Sequence, residues 1–198
     1  MRETARRRGL DAGVPVWAAD DVTVETVRGY VSVDPSDEVR LFRVRVHIPD
    51  FSWEIGGTDD LALLVDVIAA WRDGVPLDVL SARFPFLELG ELAEALARGE
   101  PTAAQWTGLL SSGFGPGGLL RRLHRDDVLR TAFPTVTHGA VRLRVDPMNA
   151  ASRQVLVREL REGCYEVARL PGAAWVEVSD TGLVSWLRAA LDVPRGPA

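Results

Sequence analysis

The spacing of apolar residues predicts strands near both ends of the chain and helices between them. In the most regular early stretch, apolar and polar side chains alternate, with Val44 and Val46 on one face and Arg43 and Arg45 on the other. This alternation predicts an antiparallel sheet with one buried face and one face in water. We therefore expect strands throughout residues 22–55.

A different period follows. Apolar residues recur at intervals of three and four positions, as on one face of a helix: Leu61, Leu64, Val65, Ile68 and Trp71. Thr58 is expected to cap this helix, because its hydroxyl can accept a hydrogen bond from a backbone N–H group of the first turn. Proline and glycine interrupt the later apolar repeats, so we expect several short helices across residues 58–131.

Alternation returns in residues 140–179, and an apolar stripe predicts a final helix over residues 183–191. Strands, then helices, then strands are typical of an α+β fold. We expect a single α+β domain over residues 1–193, with the two strand sets in one sheet or packed together. The tail at 194–198 is expected to fray.

The composition excludes several enzyme classes. All 23 basic residues are arginine, which we attribute to a GC-rich genome. Without lysine the chain cannot act on its own as a P-loop nucleotide hydrolase, a protein kinase or a Schiff-base enzyme. The net charge of −5 argues against a general nucleic-acid partner.

The few sulfur and imidazole side chains lie far apart in the sequence: His47, His124, His138 and Cys164. A single cysteine forms no internal disulfide, and this wide spread does not predict a metal site. We therefore expect no metal and no cofactor. The chain shows no signal peptide and no apolar run long enough to cross a bilayer, so we expect a cytoplasmic protein without a membrane partner.

Candidate chemistry concentrates in the segment from Leu129 to Val145, which reads LRTAFPTVTHGAVRLRV. A break at Pro134 and a polar turn are expected before a strand begins at Ala140. His138 is the candidate general base, with Thr137 beside it. Four other side chains are candidates for ligand binding: Arg130, Arg142, Arg144 and Tyr165. The alternative interpretation is that Thr137 and His138 only satisfy backbone groups of the turn.

Other motifs are expected to be structural. The triplet His124-Arg125-Asp126 matches part of a kinase catalytic loop, but the rest of the kinase signature is missing. The glycine-rich run at 113–118 follows a helix rather than a strand, so we interpret it as a connector and not as a phosphate loop. Trp71 and Trp106 fall on apolar helix stripes and are predicted to pack in the core.

Several stretches together resemble an actinobacterial family labelled "natural product biosynthesis protein", a domain of unknown function (6193). They are GGTDDLALLVDVIAAWRDGVPLDVLSARFPFL from Gly56, Trp106 near a helix end, the segment from Leu129 to Val145, and GCYEV from Gly163. The resemblance covers roughly residues 22–191 in order. It implies a role in specialised-metabolite biosynthesis but supplies no catalytic residues.

Two functional hypotheses follow. The first is a cytoplasmic accessory protein or small cofactor-independent enzyme of specialised-metabolite biosynthesis, which binds a small-molecule intermediate or a precursor peptide. In it, His138 would move a proton while Arg142 holds an anionic group. The second is a non-catalytic interaction module: a partner subunit of a larger enzyme, or an immunity-like protein. Another biosynthetic protein is a candidate partner in addition to the small molecule or peptide. An acidic stretch at 54–100 and a basic one at 121–144 motivate the second hypothesis.

Overall fold

The computed structural model describes six stretches of the chain: residues 1–13, 16–18, 21–26, 29–35, 41–172 and 174–192. Contacts divide the chain into two compact units, Met1–Ala97 (unit 1) and Arg98–Ala198 (unit 2). Each unit contains helices and a five-stranded antiparallel sheet, so the α+β fold is confirmed. The single domain expected over residues 1–193 stays a prediction, because this division concerns contacts and not independent folding.

Unit 1 begins with a short helix, continues with strands and ends with helices. Its elements are α1 (Arg2–Arg7), β1 (Val16–Ala18), β2 (Asp21–Thr26), β3 (Gly29–Pro35), β4 (Phe42–Ile48), β5 (Phe51–Thr58), α2 (Leu61–Arg72), α3 (Leu77–Arg83) and α4 (Glu91–Ala97). The strands pair in sequence order, each antiparallel to the next. The sheet therefore extends beyond both ends of the predicted range 22–55.

The alternation in β4 has the predicted effect. Val44 and Val46 are buried in the core of unit 1, together with Ile68 and Trp71 of α2, while Arg45 lies on the opposite face. Burial of these aliphatic and aromatic side chains supplies most of the stabilisation of the layer.

The start of α2 differs from the prediction. Asp60 is the N-cap, and its carboxylate accepts hydrogen bonds from the N–H groups of Ala62 at 2.7 Å and Leu63 at 3.3 Å. Thr58 instead accepts from the N–H of Asp60 at 3.1 Å. The prediction that Thr58 caps the helix is wrong, because an acidic side chain two residues later reaches the same orphan donors.

A glycine permits one close approach in unit 1. Gly56 of β5 has φ of 136° and forms a bridge with Leu87. A Cβ atom at this position would lie 2.3 Å from the carbonyl oxygen of Phe86. Only glycine fits, so the chain after α3 can approach the edge strand closely.

Unit 2 has helices first, then the sheet, then a final helix. Its elements are α5 (Pro101–Ser112), α6 (Gly117–His124), a 3₁₀ turn (Leu129–Thr131), β6 (Phe133–Thr137), β7 (Ala140–Arg144), β8 (Gln154–Arg161), β9 (Cys164–Leu170), β10 (Val176–Ser179) and α7 (Asp180–Leu191). The sheet order is β10-β9-β8-β7-β6. The last helix is confirmed but begins three residues before 183, and the predicted frayed tail at 194–198 lies outside the described residues.

Two expectations about strands need correction. The strand sets form two separate sheets, so one of the two expected arrangements, a single shared sheet, is excluded. Residues 133–137, predicted to hold a break and a turn, form strand β6. Pro134 is compatible with this strand because β6 lies at the edge of the sheet, where a missing N–H donor interrupts no central ladder.

The core of unit 2 lies between one face of its sheet and its helices. Leu143 and Val155 from the sheet are fully buried with Leu123 of α6, Leu129 of the 3₁₀ turn and Leu187 of α7. These residues come from five elements, and their packing fixes the helices and the turn against the sheet.

Candidate functional site

His138 lies in the connection between β6 and β7. Thr137 pairs with Ala140, which leaves His138 and Gly139 as a two-residue loop with φ values of 47° and 77°. Two positive φ angles are typical of a type I′ turn. The imidazole is exposed, and its Nδ1 atom lies 3.0 Å from the Thr137 hydroxyl. This geometry favours the turn interpretation, and a catalytic role of the two side chains stays a prediction.

The structure separates Tyr165 from the predicted arginine residues of β7. Arg142 pairs with Leu156 in the strand register, and Leu156 pairs with Ala168. Tyr165 lies three positions from Ala168 along β9, so its side chain is on the other face of the sheet. There it packs in the core of unit 2. Tyr165 and Arg142 cannot hold one small ligand together.

Arg144, the other predicted site residue on β7, is buried. Its guanidinium donates a hydrogen bond to Oε1 of Gln154 at 2.9 Å, across the pair of neighbouring strands. Because a charge removed from water needs hydrogen-bond partners, this contact supports a structural role in the sheet.

Tyr165 belongs to a polar cluster at the start of α7. Its hydroxyl donates to Oδ1 of Asp180 at 3.3 Å, and the guanidinium of Arg122 pairs with the same carboxylate at 2.8 Å. Arg122 also donates to the backbone oxygen of Asp180 at 2.8 Å. Burial, opposed in part by Arg122, raises the pKa of Tyr165. The cluster connects α6, β9 and α7, which favours a structural role.

Arg130 is a predicted site residue that lines a cavity. An open cavity of about 420 Å³ lies at the start of α5 and is lined by Glu100, Thr102, Ala103, Trp106, His124, Arg130 and Thr131. These residues come from the N-cap and first turns of α5, the end of α6 and the 3₁₀ turn. The lining combines an aromatic wall with one acidic and one basic side chain.

The aromatic wall consists of Trp106 and His124. Their ring centroids lie 5.2 Å apart with an interplanar angle of 54°. The indole N–H of Trp106 donates to the carbonyl oxygen of Ala132 at 3.1 Å, so the buried ring is held in place. His124 is half-buried and therefore offers the more accessible ring of the two.

Asp126 stabilises the turn that carries Arg130 and Thr131. It accepts hydrogen bonds from the N–H groups of Val128 and Leu129 at 3.1 and 3.0 Å, and it binds Arg188 of α7 through both carboxylate oxygens. Burial alone would raise the pKa of Asp126, but these hydrogen bonds outweigh it and lower the pKa. The cavity wall is thereby attached to the last helix.

A second cavity of about 420 Å³ lies in unit 1. Its lining residues all come from the segment between Met1 and Gly13, and the charged ones among them are Arg2, Arg6 and Asp11. Its wall contains no aromatic ring, and Asp11 pairs with Arg72 at 2.7 Å. The cavity of unit 2 has the more specific chemistry, because three separate elements bring together groups of different kinds.

Sequence reasoning named Arg130 but not the cavity around it. His124 was interpreted as an isolated resemblance to a kinase loop, and Trp106 only as a core residue. Trp106 is indeed buried, as predicted, with 1 % of its surface exposed. Neither spacing nor composition predicts that the end of α6 returns to the start of α5, which brings the two rings together.

Among the described residues, no group of three or more histidine, cysteine, aspartate or glutamate side chains is arranged to hold a metal ion. No helix in the described stretches is both long and apolar enough to cross a membrane. Comparisons of the chain with protein-family models, curated proteins and solved structures find no match.

Proposed function

We propose that this chain is a ligand-binding accessory protein of specialised-metabolite biosynthesis, and that the ligand occupies the cavity at the start of α5. The observation that carries the proposal is the lining of that cavity, where Trp106 and His124 lie beside the oppositely charged Glu100 and Arg130. Ligand sites typically combine an apolar or aromatic surface with a few polar groups that orient the bound molecule.

Two parts of the cavity wall are held by hydrogen bonds within unit 2. Trp106 is held through its indole N–H, and the turn that carries Arg130 is held by Asp126 and Arg188. A fixed wall reduces the entropy lost on binding. The volume of about 420 Å³ falls in the range of small-molecule sites. These features support a small-molecule ligand.

The resemblance to the natural product biosynthesis family supports the pathway. An accessory binding role is preferred to catalysis, because His138 is exposed in a hairpin turn and does not line the cavity. If turnover occurs in this cavity, His124 is the lining residue that can transfer a proton without a cofactor.

The proposal predicts that small molecules perturb the cavity tryptophan. In a nitrogen-15 nuclear magnetic resonance screen of aromatic fragments, hits should shift the indole N–H signal of Trp106. Ala103→Trp places a large side chain in the cavity and should abolish these shifts. Ser111→Trp, on an exposed position of the same helix, is the matched control and should leave them unchanged. Shifts that survive Ala103→Trp would contradict the proposal.

A second candidate function is the interaction module. β10 is an edge strand of its sheet, and two large apolar side chains at its start are exposed: Trp175 and Val176. An edge strand can pair with an extended segment of a partner. The basic stretch at 121–144 supports this candidate less well, because Arg122, Arg130 and Arg144 have partners within unit 2. Light scattering that finds a monomer, with no partner in a pull-down, would contradict it.

A further inference from the structure

We propose that the cavity of unit 2 takes an amphoteric aromatic molecule, one that carries both an ammonium and a carboxylate group on a ring-bearing body the size of an aromatic amino acid. This inference rests on the proposed function and names the chemical class of its ligand. It follows from the charges in the lining, from the surface beside them and from what a singly charged ligand would meet there.

The two charges of the lining remain available to a ligand. Arg130 pairs with Asp127 at 3.0 Å, but the two side chains are 53 % and 80 % exposed. An exposed ion pair of this kind is weak, so a ligand carboxylate can replace Asp127 at little cost. No ion pair of Glu100 occurs within the described stretches of the chain, and its carboxylate is exposed at the N-cap position of α5.

A singly charged ligand would fit this lining poorly. An anion that binds Arg130 would place its charge in the same cavity as Glu100, and a cation that binds Glu100 would share the cavity with Arg130. Each arrangement leaves one charged side chain partly desolvated without a partner, which disfavours binding. An amphoteric ligand gives each side chain an opposite charge.

The rest of the lining suits a ring. The half-buried ring of His124, which packs against the buried ring of Trp106, is the accessible ring of the lining, and Thr102 and Thr131 line the same cavity. Aromatic rings pack favourably edge-to-face or offset against such a wall. The hydroxyls can accept from an ammonium group or donate to a carboxylate. The lining therefore selects charge and shape together.

The test uses a matched set of probes that share a phenylethyl group and differ in the charged groups attached to it: L-phenylalanine, phenethylamine and 3-phenylpropionate. Affinities measured by isothermal titration calorimetry should rank L-phenylalanine first, about tenfold tighter than each singly charged analogue. Binding of L-phenylalanine should disappear in Ala103→Trp and persist in Ser111→Trp.

Two variants assign the charges. Glu100→Gln should weaken L-phenylalanine and phenethylamine about fivefold and leave 3-phenylpropionate unchanged or tighter. Arg130→Gln should weaken L-phenylalanine and 3-phenylpropionate about fivefold and spare phenethylamine. Glu162→Gln and Arg121→Gln remove the same charges from exposed positions outside the lining and should change no affinity.

The outcomes separate this inference from the proposed function. If the three probes bind equally in the cavity, or if only neutral or singly charged fragments bind there, the inference that the ligand is amphoteric is wrong. The proposed ligand-binding function then still stands. If no aromatic fragment of any charge shifts the Trp106 signal, both are wrong. If the fivefold losses of affinity do not follow the charge of the probe, Glu100 and Arg130 do not bind the charged groups of the ligand. The inference is then overturned.

Discussion

The two units have the same kind of architecture but place their polar groups differently. Each has a five-stranded antiparallel sheet in which neighbours in sequence are neighbours in space, and each has helices packed on the sheet. In unit 1 a part-buried ion pair between Arg8 and Asp66 attaches the N-terminal segment to α2. In unit 2 the ion pair between Asp126 and Arg188 attaches the 3₁₀ turn beside the cavity to α7. The architecture that the two units share therefore does not locate a functional site, whereas their different polar contacts help to locate one.

The cores also differ in composition. The sheet and helices of unit 1 bury mainly valine and alanine, whereas unit 2 buries leucine at most of its helical core positions. Leucine is larger and unbranched at Cβ, which suits helices, while valine suits strands. Truncation of a core leucine in unit 2 should therefore cost the protein more stability than truncation of a core valine in unit 1.

Truncation of a core residue in each unit gives the largest expected effect. Leu143→Ala in β7 should lower the free energy of unfolding by about 3 kcal/mol, and Val44→Ala in β4 by about 2 kcal/mol, because both side chains are fully buried and leucine leaves the larger cavity. Urea denaturation followed by circular dichroism measures both values.

The same experiment tests the single domain predicted over residues 1–193. A single domain unfolds in one transition, so each variant should shift the whole curve. Hydrogen exchange of peptides from both units provides the control, since both should lose protection in either variant. Two separate transitions, each moved by only one of the variants, would contradict the single-domain prediction.

Elements that depend on neighbouring residues were predicted correctly, whereas features that depend on residues distant in the sequence were not. The alternation in β4 and the stripe of α2 depend on neighbouring residues, and both elements formed as predicted. Strand β6 was missed because Pro134 suggested a break, although its position at a sheet edge makes proline acceptable. Whether a strand lies at the edge or in the centre is a property of the whole sheet, so the five residues of β6 alone do not determine it.

The candidate site shows the same limit. Arg130 was named from its place in a basic stretch, but its relation to Glu100 and Trp106 depends on how α5, α6 and the 3₁₀ turn pack. Tyr165 and Arg142 were grouped although the strand register puts them on opposite faces of the sheet. Register between β7, β8 and β9 is set by pairing and cannot be derived from one strand.

The second comparison concerns two aspartates that each bind an arginine with both oxygens. Asp126→Ala in unit 2 should lower the free energy of unfolding by about 2 kcal/mol, because it removes the contact with Arg188 and the hydrogen bonds to the 3₁₀ turn. Asp66→Ala in unit 1 should cost about 1 kcal/mol, since alanine favours the interior of α2. Thermal unfolding at pH 7 compares them, and equal losses would show that the turn contributes nothing.

Acid should reduce the contribution of Asp126. Its pKa is lowered in the folded protein, so its stabilisation is fully present above the unfolded value of about 3.9 and is lost as the pH falls through the lower folded value. The difference in stability between the wild-type protein and Asp126→Ala should stay constant from pH 6 to 8 and narrow below pH 4. A difference that persists to pH 2 would contradict the assigned role of the carboxylate.

The smallest expected change in the free energy of unfolding concerns a type of hairpin turn that occurs in both units. Both units have a two-residue turn with a non-glycine residue at positive φ, Asp50 at 56° in unit 1 and His138 at 47° in unit 2. At the first position of a type I′ turn asparagine is preferred, so His138→Asn should raise the free energy of unfolding by about 0.5 kcal/mol. His138→Val should lower it by about 1 kcal/mol, because a β-branched side chain disfavours positive φ.

Denaturation curves of these two variants measure how His138 serves the turn, and calorimetry with L-phenylalanine measures whether it serves the ligand. Both variants should keep the wild-type affinity, since His138 does not line the cavity. If His138→Asn folds normally but loses binding, the catalytic or binding interpretation of His138 regains support over the turn. If the two variants bind L-phenylalanine equally and change stability in opposite directions, the role of His138 is confined to the hairpin turn. Ligand binding in unit 2 would then depend on Glu100, His124 and Arg130.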